Sequence, residues 1–323
     1  MHRGLSRGFV YPVYEAISGR RILSRLALLE QSQWWSAADM AAWQRDRLAE
    51  LVHHAYATVP YYRSLFDGAG ISPGDVRATG DLRRLPLLSK AVIQDQHADL
   101  VSTAYSPARR IPNHTGGSTG TPMHFWQDQR QRDWGSASKL RFNRWAGWDF
   151  GQRTLRLWGH PRDLKAAQSL KGRIRALALN EYTFDAFGFS TDDMADLVAS
   201  LQRYRPHIIL AYASMVTHFA VYLEEQGFDD IPSPDGIITS TDMLFPHQRE
   251  LVERQFRAKV FDRYGCREVS VIAAECGEHT GMHVSADRLI VEFVDGKGDH
   301  VAPGEPGRVV ITDLFNYAMP FIR

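Results

Sequence analysis

Cysteine is scarce in this sequence: the 323 residues hold only Cys266 and Cys276. Two thiols cannot build a disulfide framework, and their number fits a reducing compartment such as the cytoplasm. Long apolar runs are missing too. The best stretch, residues 207–223, is interrupted by Ser214, Thr217 and His218, so no transmembrane segment is expected. Nor does one sign of charge dominate, since 38 Lys and Arg face 37 Asp and Glu and leave a net charge of +1. That balance excludes a generally basic nucleic-acid binder and an acidic solvating tail. Basic clusters around Arg130 and Arg153 lack a continuous positive face, and no nucleic-acid partner is expected. No internal repeat or low-complexity linker breaks the chain. What is present is a 44% hydrophobic composition with 8 Trp, 12 Tyr and 16 Phe, enough for a sizeable core. The length alone suggests about two domains.

The first 110 residues read as a helical region. Arg3, Arg7, Arg20, Arg21 and Arg25 face only Glu15 there before Glu30. This arm is expected to pack on the body through Phe9, Tyr11, Tyr14, Ile17, Ile22 and Leu26; a transit peptide or a membrane-surface helix is the alternative. Ser36 is placed to cap a helix with Trp43, Leu48, Leu51 and Val52 on its apolar face, ending before Pro60. Ser89 is placed to cap the next helix. From residue 111 onward the pattern alternates. Strands are expected at 154–158, 207–212, 236–241 and 259–264, with helices at 192–204, 215–226 and 246–256. Such alternation predicts an α/β fold with a mostly parallel sheet covered by helices. Two later β runs, 289–294 and 308–314, flank a short Gly- and Pro-bearing connection and should pair antiparallel. The crowd of Trp126, Trp134, Trp145, Trp148 and Trp158 reads as aromatic core between helix and sheet.

Three segments can carry chemistry. In Thr115-Gly116-Gly117-Ser118-Thr119-Gly120-Thr121-Pro122, glycines let backbone N–H groups converge on an anion, and the hydroxyls add donors. No Gly-Lys-Ser/Thr follows, so this is not a Walker A loop and a P-loop phosphotransferase is disfavoured. The second segment, Tyr264-Gly265-Cys266-Arg267-Glu268, follows a β run, where the ligand crevice of an open α/β sheet lies. Glu268 there could hold Mg²⁺ or simply cap the next helix. The third, Gly304-Glu305-Pro306-Gly307-Arg308 and the β run to Leu314, leads into Met319-Pro320-Phe321-Ile322-Arg323. His114, beside the first loop, could meet a substrate carboxylate or satisfy a backbone carbonyl. Cys266, Cys276, His279 and His283 offer a loose zinc spacing, and zinc is not the expected cofactor.

The three segments, in this order, resemble the adenylate-forming enzymes, and within them the phenylacetate–CoA ligase and CapK-like branch. Supporting stretches are residues 48–66, 81–90 and 204–223, so the likeness spans residues 40–323. The resemblance implies ATP-dependent activation of a small carboxylic acid. The carboxylate attacks the α-phosphate, pyrophosphate leaves, and the acyl-adenylate passes its acyl group to a thiol such as coenzyme A. By the same resemblance, Thr115, Gly116, Gly117, Ser118, Thr119, Gly120 and Thr121 cradle the phosphates. Glu268 helps to hold Mg²⁺. Tyr264, Gly265 and the loop Ser240-Thr241-Asp242 flank the adenine, and Tyr212, Ala213, Ser214 and the crevice after Trp158 line the acyl pocket. The candidate catalytic residues are Glu268, Thr119 and His114.

There are departures. Met123 follows Pro122 where the family carries a basic step, and Arg267 replaces the usual Thr, where it could contact phosphate or carboxylate. The family's Tyr-x-x-Gly-Asp motif and its small C-terminal lid domain, with a catalytic lysine, are not in this sequence. The chain is therefore expected to correspond to the large N-terminal domain, with a helical part at 1–110 and an α/β core at 111–323. A catalytically silent nucleotide- or acyl-binding module is the alternative function.

Overall fold

The computed structural model describes residues 3–116, 121–158, 168–185 and 190–323. They fall into two compact units. Unit 1 comprises residues 1–21, 139–265 and 273–283; unit 2 comprises 22–138, 266–272 and 284–323.

Unit 1 opens with α1 (Arg3–Leu5), a π turn over Ser6–Val10 and α2 (Tyr11–Ser18), which ends at Gly19 with φ 68°. The expected packing of this arm is only half met. Tyr11, Ile22 and Leu26 are buried, but Phe9 and Ile17 are 63% and 80% exposed. Helical spacing is the physical reason: at about 100° per residue Phe9 and Ile17 lie roughly 200° and 240° from Tyr11, on the other side of the arm. A strict four-residue step drifts around an α-helix, whereas the wider π turn offsets the drift and lines up Leu5, Phe9, Val13 and Ile17. Ser6 and Tyr11 then take the buried side.

In unit 2, α3 (Ile22–Ser32) leads to α4 (Ala37–Thr58), where Ser36 Oγ accepts from Asp39 N at 3.1 Å. After α5 (Pro60–Ala69), Ser89 caps α6 (Lys90–Asp95) by accepting from Val92 N. The antiparallel pair β1 (Ile111–His114) and β2 (His124–Gln127) precedes α7 (Gln129–Trp145), which runs on into unit 1.

The central sheet is built from β3 (Thr154–Trp158), α8 (Leu170–Leu179), β4 (Glu181–Asp185), α9 (Thr191–Tyr204), β5 (Ile208–Tyr212), α10 (Ala213–Glu225), β6 (Gly236–Ser240), α11 (Pro246–Phe256) and β7 (Val260–Cys266). Adding β8 (Ser270–Glu275) and β9 (Met282–Val284) gives seven strands in the order β4-β3-β5-β6-β7-β8-β9. The pairs from β4 through β7 are all parallel, as the alternation predicts. Strands such as Ile208–Tyr212 are apolar throughout because parallel strands bury both faces. Leu155, Ile209, Ile237 and Val260 pack with Val216, Phe219 and Phe256 from the helices. Gly236 is needed at the start of β6, since a Cβ there would run into the carbonyl oxygen of Ala146.

The last strands, β10 (Leu289–Val294) and β11 (Arg308–Asp313), pair antiparallel in unit 2 with Leu289 opposite Asp313, as expected. The segment after them is buried but is not a strand. Its polar backbone is met by specific partners: Tyr62 donates to Pro320 O and accepts from Ile322 N, both at 3.0 Å. Arg323 is buried, donating to Leu85 O at 2.7 Å and lying 3.3 Å from Glu292. Trp134 stacks on Phe315 with ring centroids 4.2 Å apart, an aromatic core contact of the expected kind. Among the described residues no helix is long and apolar enough to cross a membrane.

Candidate functional site

In unit 2 the Gly/Ser/Thr loop hangs from a fixed stem. The β1–β2 ladder continues one step beyond the strands: Thr115 N donates to Met123 O at 3.0 Å, and Met123 N donates to Thr115 Oγ1 at 2.9 Å. The chain therefore leaves the ladder at Thr115 and rejoins it at Met123. Gly116 and Thr121 are exposed, and a Cβ on Gly116 would meet nothing within 4 Å. Packing does not demand a glycine there, while an unobstructed approach to the backbone does benefit from one. Gly117, Ser118, Thr119 and Gly120 lie outside the described residues, as does the crevice expected after Trp158.

His114 Nδ1 is 2.9 Å from its neighbour's carbonyl, Thr115 O. A carbonyl only accepts, so Nδ1 is the donor in this contact and Nε2 takes no part in it. The backbone-carbonyl role thus occupies one ring nitrogen and leaves the other for a second partner.

The same stem is tied to the segment that carries Arg267 and Glu268. Asn113 Nδ2 donates to Arg267 O at 3.3 Å and to Gln127 Oε1 at 3.2 Å. Gln127 Nε2 donates to Arg267 O at 3.4 Å and to Glu268 O at 3.1 Å, and Gln131 Nε2 reaches Glu268 O at 3.2 Å. Gln127 is 6% exposed and Gln131 1%, so these amides have no water to fall back on. Three carboxamides therefore fix two successive carbonyls, and with them the origin of the Arg267 and Glu268 side chains. Both side chains are half-buried. Sequence reasoning misses Asn113, Gln127 and Gln131. Only the pairing of Gln127 and Gln131 four residues apart around Asp128 could have hinted at them. Asp128 anchors the start of α7, accepting from Gln131 N and, through its other oxygen, from Tyr317 N, both at 2.8 Å.

In unit 1 the C-terminal ends of β3, β5 and β6 gather a second group. Trp158 and Tyr212 meet edge to face with centroids 4.5 Å apart, and the Arg156 guanidinium lies over the Trp158 ring. Asp242 accepts from Ser214 Oγ at 2.5 Å and Ser214 N at 3.3 Å, which ties the loop after β6 to the first turn of α10. Ala213 is buried in that turn. Thr241 sits at φ 84°, a costly conformation for a β-branched residue and one that tends to mark functional loops. Tyr264, near the end of β7, is exposed, and Gly265 is the last residue of unit 1 before the chain crosses at Cys266.

Beneath this edge lies a polar network that the sequence did not announce. Arg249 Nη2 donates to both Glu275 oxygens at 2.7 and 2.8 Å. Glu275 Oε2 also accepts from Asp262 N at 2.9 Å, and Asp262 Oδ1 accepts from Thr239 Oγ1 at 2.7 Å. Burial pushes the Asp262 carboxyl up from its ordinary 3.8, Thr239 opposes that shift, and Glu275 adds to it.

Cys276 Sγ lies 3.3 Å from His283 Nε2, whereas His279 Nδ1 is turned to Glu275 at 3.4 Å. Among the described residues no group of three His, Cys, Asp or Glu side chains is placed to hold a metal ion. A magnesium ion needs less: one or two carboxylates plus phosphate oxygens and water suffice, and Glu268 fits that demand.

No family model matches the chain. It is 28% identical over 296 residues to the phenylacetate-coenzyme A ligase of Escherichia coli (strain K12), covering 89% of this chain and 66% of that protein. It is 26% identical over 301 residues to the phenylacetate-coenzyme A ligase of Aromatoleum evansii, covering 91% and 67%. The chain thus spans about two thirds of the length of the curated relatives it matches. Among solved structures, an open conformation of 2-hydroxyisobutyryl-CoA ligase with 2-HIB-AMP and CoA superposes with a TM-score of 0.72 at 21% identity, covering 89% of this chain and 68% of that one. The thioesterification state of that ligase gives 0.73 at 22% identity, covering 89% and 62%. By sequence the chain is similar to the phenylacetate–CoA ligases, and by fold it is similar to a CoA ligase.

Proposed function

We propose that this chain serves the ATP-dependent activation of a small carboxylic acid to an acyl-adenylate, followed by transfer of the acyl group to a thiol such as coenzyme A. The observation that carries the reading is the carboxamide clamp of Asn113, Gln127 and Gln131, which joins the stem of the Gly/Ser/Thr loop to the carbonyls of Arg267 and Glu268. A loop for an anion and a carboxylate for its counter-ion are useful to each other only when their spacing is fixed. The likeness to phenylacetate–CoA ligases supports an aryl or other organic acid as substrate, and a CapK-like role is compatible with it.

In unit 2, Thr115, Gly116 and Thr121, with Gly117 to Gly120 between them, receive the β- and γ-phosphates. Arg267 meets phosphate or carboxylate. His114 Nε2, which takes no part in the contact with the Thr115 carbonyl, accepts a proton or hydrogen bond at the acyl end. Glu268 is the residue that would hold Mg²⁺, which when bound offsets the charge of departing pyrophosphate. In unit 1, Tyr264 offers an exposed ring for the base, and Ser240, Thr241 and Asp242 form the loop beside it. Tyr212, Ser214 and Trp158 shape the acyl pocket. The setting is the cytoplasm, where ATP and coenzyme A are available.

ATP–pyrophosphate exchange across a panel of carboxylic acids, with ATP titrated calorimetrically into the same sample, tests the reading. Acid-dependent exchange is the expected result and would name the substrate class. ATP binding without exchange would favour a silent binding module, and neither binding nor exchange in a folded sample would overturn the nucleotide reading.

A further inference from the structure

The N-terminal arm leaves a stripe of aliphatic and aromatic side chains in water. Leu5, Phe9, Val13 and Ile17 are all exposed on one side of the arm, while Ser6 and Tyr11 are buried on the other. Tyr11 is held by aromatic neighbours within unit 1, its ring centroid 5.0 Å from Phe150 and 5.6 Å from Tyr14. The outward orientation of the stripe is therefore set by packing on the opposite side. Helix α8 packs alongside the arm and repeats the pattern: Leu170, Ile174 and Leu177 are exposed, Leu177 at 75%, while Leu179 is buried. Two neighbouring helices of one unit thus present seven large apolar side chains to solvent.

Charge accompanies this apolar surface. Residues 3–21 and 168–179 contain Arg3, Arg7, Arg20, Arg21, Lys171, Arg173 and Arg175 against the single acid Glu15. The chain as a whole is nearly neutral, so the excess is local. Arg7 and Arg173 are exposed. We propose that the arm and α8 together form an interfacial docking surface for an anionic lipid bilayer, with Leu5, Phe9, Val13, Ile17, Leu170 and Leu177 entering the acyl boundary and the arginines resting among the headgroups.

Three features select a bilayer. An in-plane amphipathic helix needs an apolar stripe accompanied by Lys or Arg, and the exposed Arg7 on the arm and Arg173 on α8 supply that combination. Exposed aliphatic area is itself an attraction: Leu5, Ile17 and Leu177 are 54%, 80% and 75% exposed and would leave water on entering the acyl boundary. A second copy of the chain would bring the same positive excess against itself, which opposes a symmetric dimer through this face. The anionic surface potential of a bilayer attracts the same charges. Catalysis does not depend on this surface, because none of its residues belongs to the proposed active site.

The test is flotation of the full chain with two vesicle preparations: phosphatidylcholine alone, and phosphatidylcholine with about a third replaced by phosphatidylglycerol. The account predicts binding to the anionic vesicles at least about tenfold stronger than to the neutral ones, weakening as salt is raised. Phe9→Asp and Ile17→Asp should each reduce it by about tenfold or more, and Leu177→Asp should do the same from the second helix. Arg7→Glu should weaken only the anionic preference. These positions are exposed, so circular dichroism of the variants should match the parent. Failure to bind anionic vesicles overturns the proposal, as does binding that Phe9→Asp and Leu177→Asp leave unchanged. A parent that is dimeric by light scattering and becomes monomeric with Ile17→Asp would assign the surface to a second copy and overturn it too.

Discussion

Replacing Gln127 and Gln131 by leucine, singly and together, probes the clamp that organises the candidate site. Gln127→Leu deletes three hydrogen bonds: two donated by its amide to Arg267 O and Glu268 O, and one accepted from Asn113. All three partners keep another contact, because Asn113 still reaches Arg267 O and Gln131 still reaches Glu268 O. At about 1 kcal/mol net for each bond, partly offset by the apolar volume of leucine, the single substitution should cost about 2 kcal/mol. Gln131→Leu should cost a similar amount, since it removes one donor to Glu268 O and one to the buried Asp313 carboxylate at 3.2 Å. The double variant removes both side-chain donors from Glu268 O. The two effects should therefore exceed their sum by about 1 kcal/mol, the added cost of a carbonyl stranded in a dry environment. Urea unfolding of the four proteins measures the cycle. Additivity within about 0.4 kcal/mol would refute the claim that the two amides share one acceptor. In exchange assays the same variants should lower turnover more than they raise the KM for ATP, because they misplace groups instead of removing them.

Gly236→Ala should destabilise unit 1 by about 3 kcal/mol, since the new methyl meets the Ala146 carbonyl and not a movable side chain; a shift in urea midpoint equivalent to under about 1 kcal/mol would contradict the packing described. Thr241→Gly should relieve the cost of φ 84° and raise stability by about 1 kcal/mol while slowing exchange, and thermal melts showing a loss would remove the argument for strain. Asp262 has its pKa raised in the folded protein, so the folded state binds more protons than the unfolded one above pH 3.8. Its contribution to stability is consequently greatest at low pH and is lost as pH rises from 3.8 through the folded value. Asp262→Asn should flatten that part of the urea-stability profile, and parallel profiles for parent and variant would exclude the assignment.

Much of the sheet was legible from the chain because its signals are local and strong. The run Thr154–Trp158 is strand in both reading and structure, and helices open near Ser190, where a serine caps, near Pro246, where a proline leads, and after Tyr212. The antiparallel pair at the end followed from its short connection. Other features required distance information that periodicity does not carry. The β1–β2 hairpin is two four-residue strands on either side of a glycine-rich loop, too short for an alternating pattern to register. Strand β9 is shorter still, at three residues. The clamp joins Asn113 and Gln127 to residues about 140 to 150 positions away, and polar residues on a short strand look like surface until their partners are known. Phe9 and Ile17 were misread for a different reason. At about 100° per residue they lie roughly 200° and 240° around the helix from Tyr11, so one packed face could not take all three.

The account's central claim is that a phosphate-receiving loop and Glu268 act together in carboxylate activation. Acid-dependent ATP–pyrophosphate exchange by the parent chain and by Glu268→Gln, measured on the same folded preparations, tests it most directly. The predicted result is exchange by the parent and a loss of about a hundredfold in the variant, with ATP still bound. Exchange that survives in Glu268→Gln at the parent rate, or a folded parent that neither exchanges nor binds ATP, would contradict it.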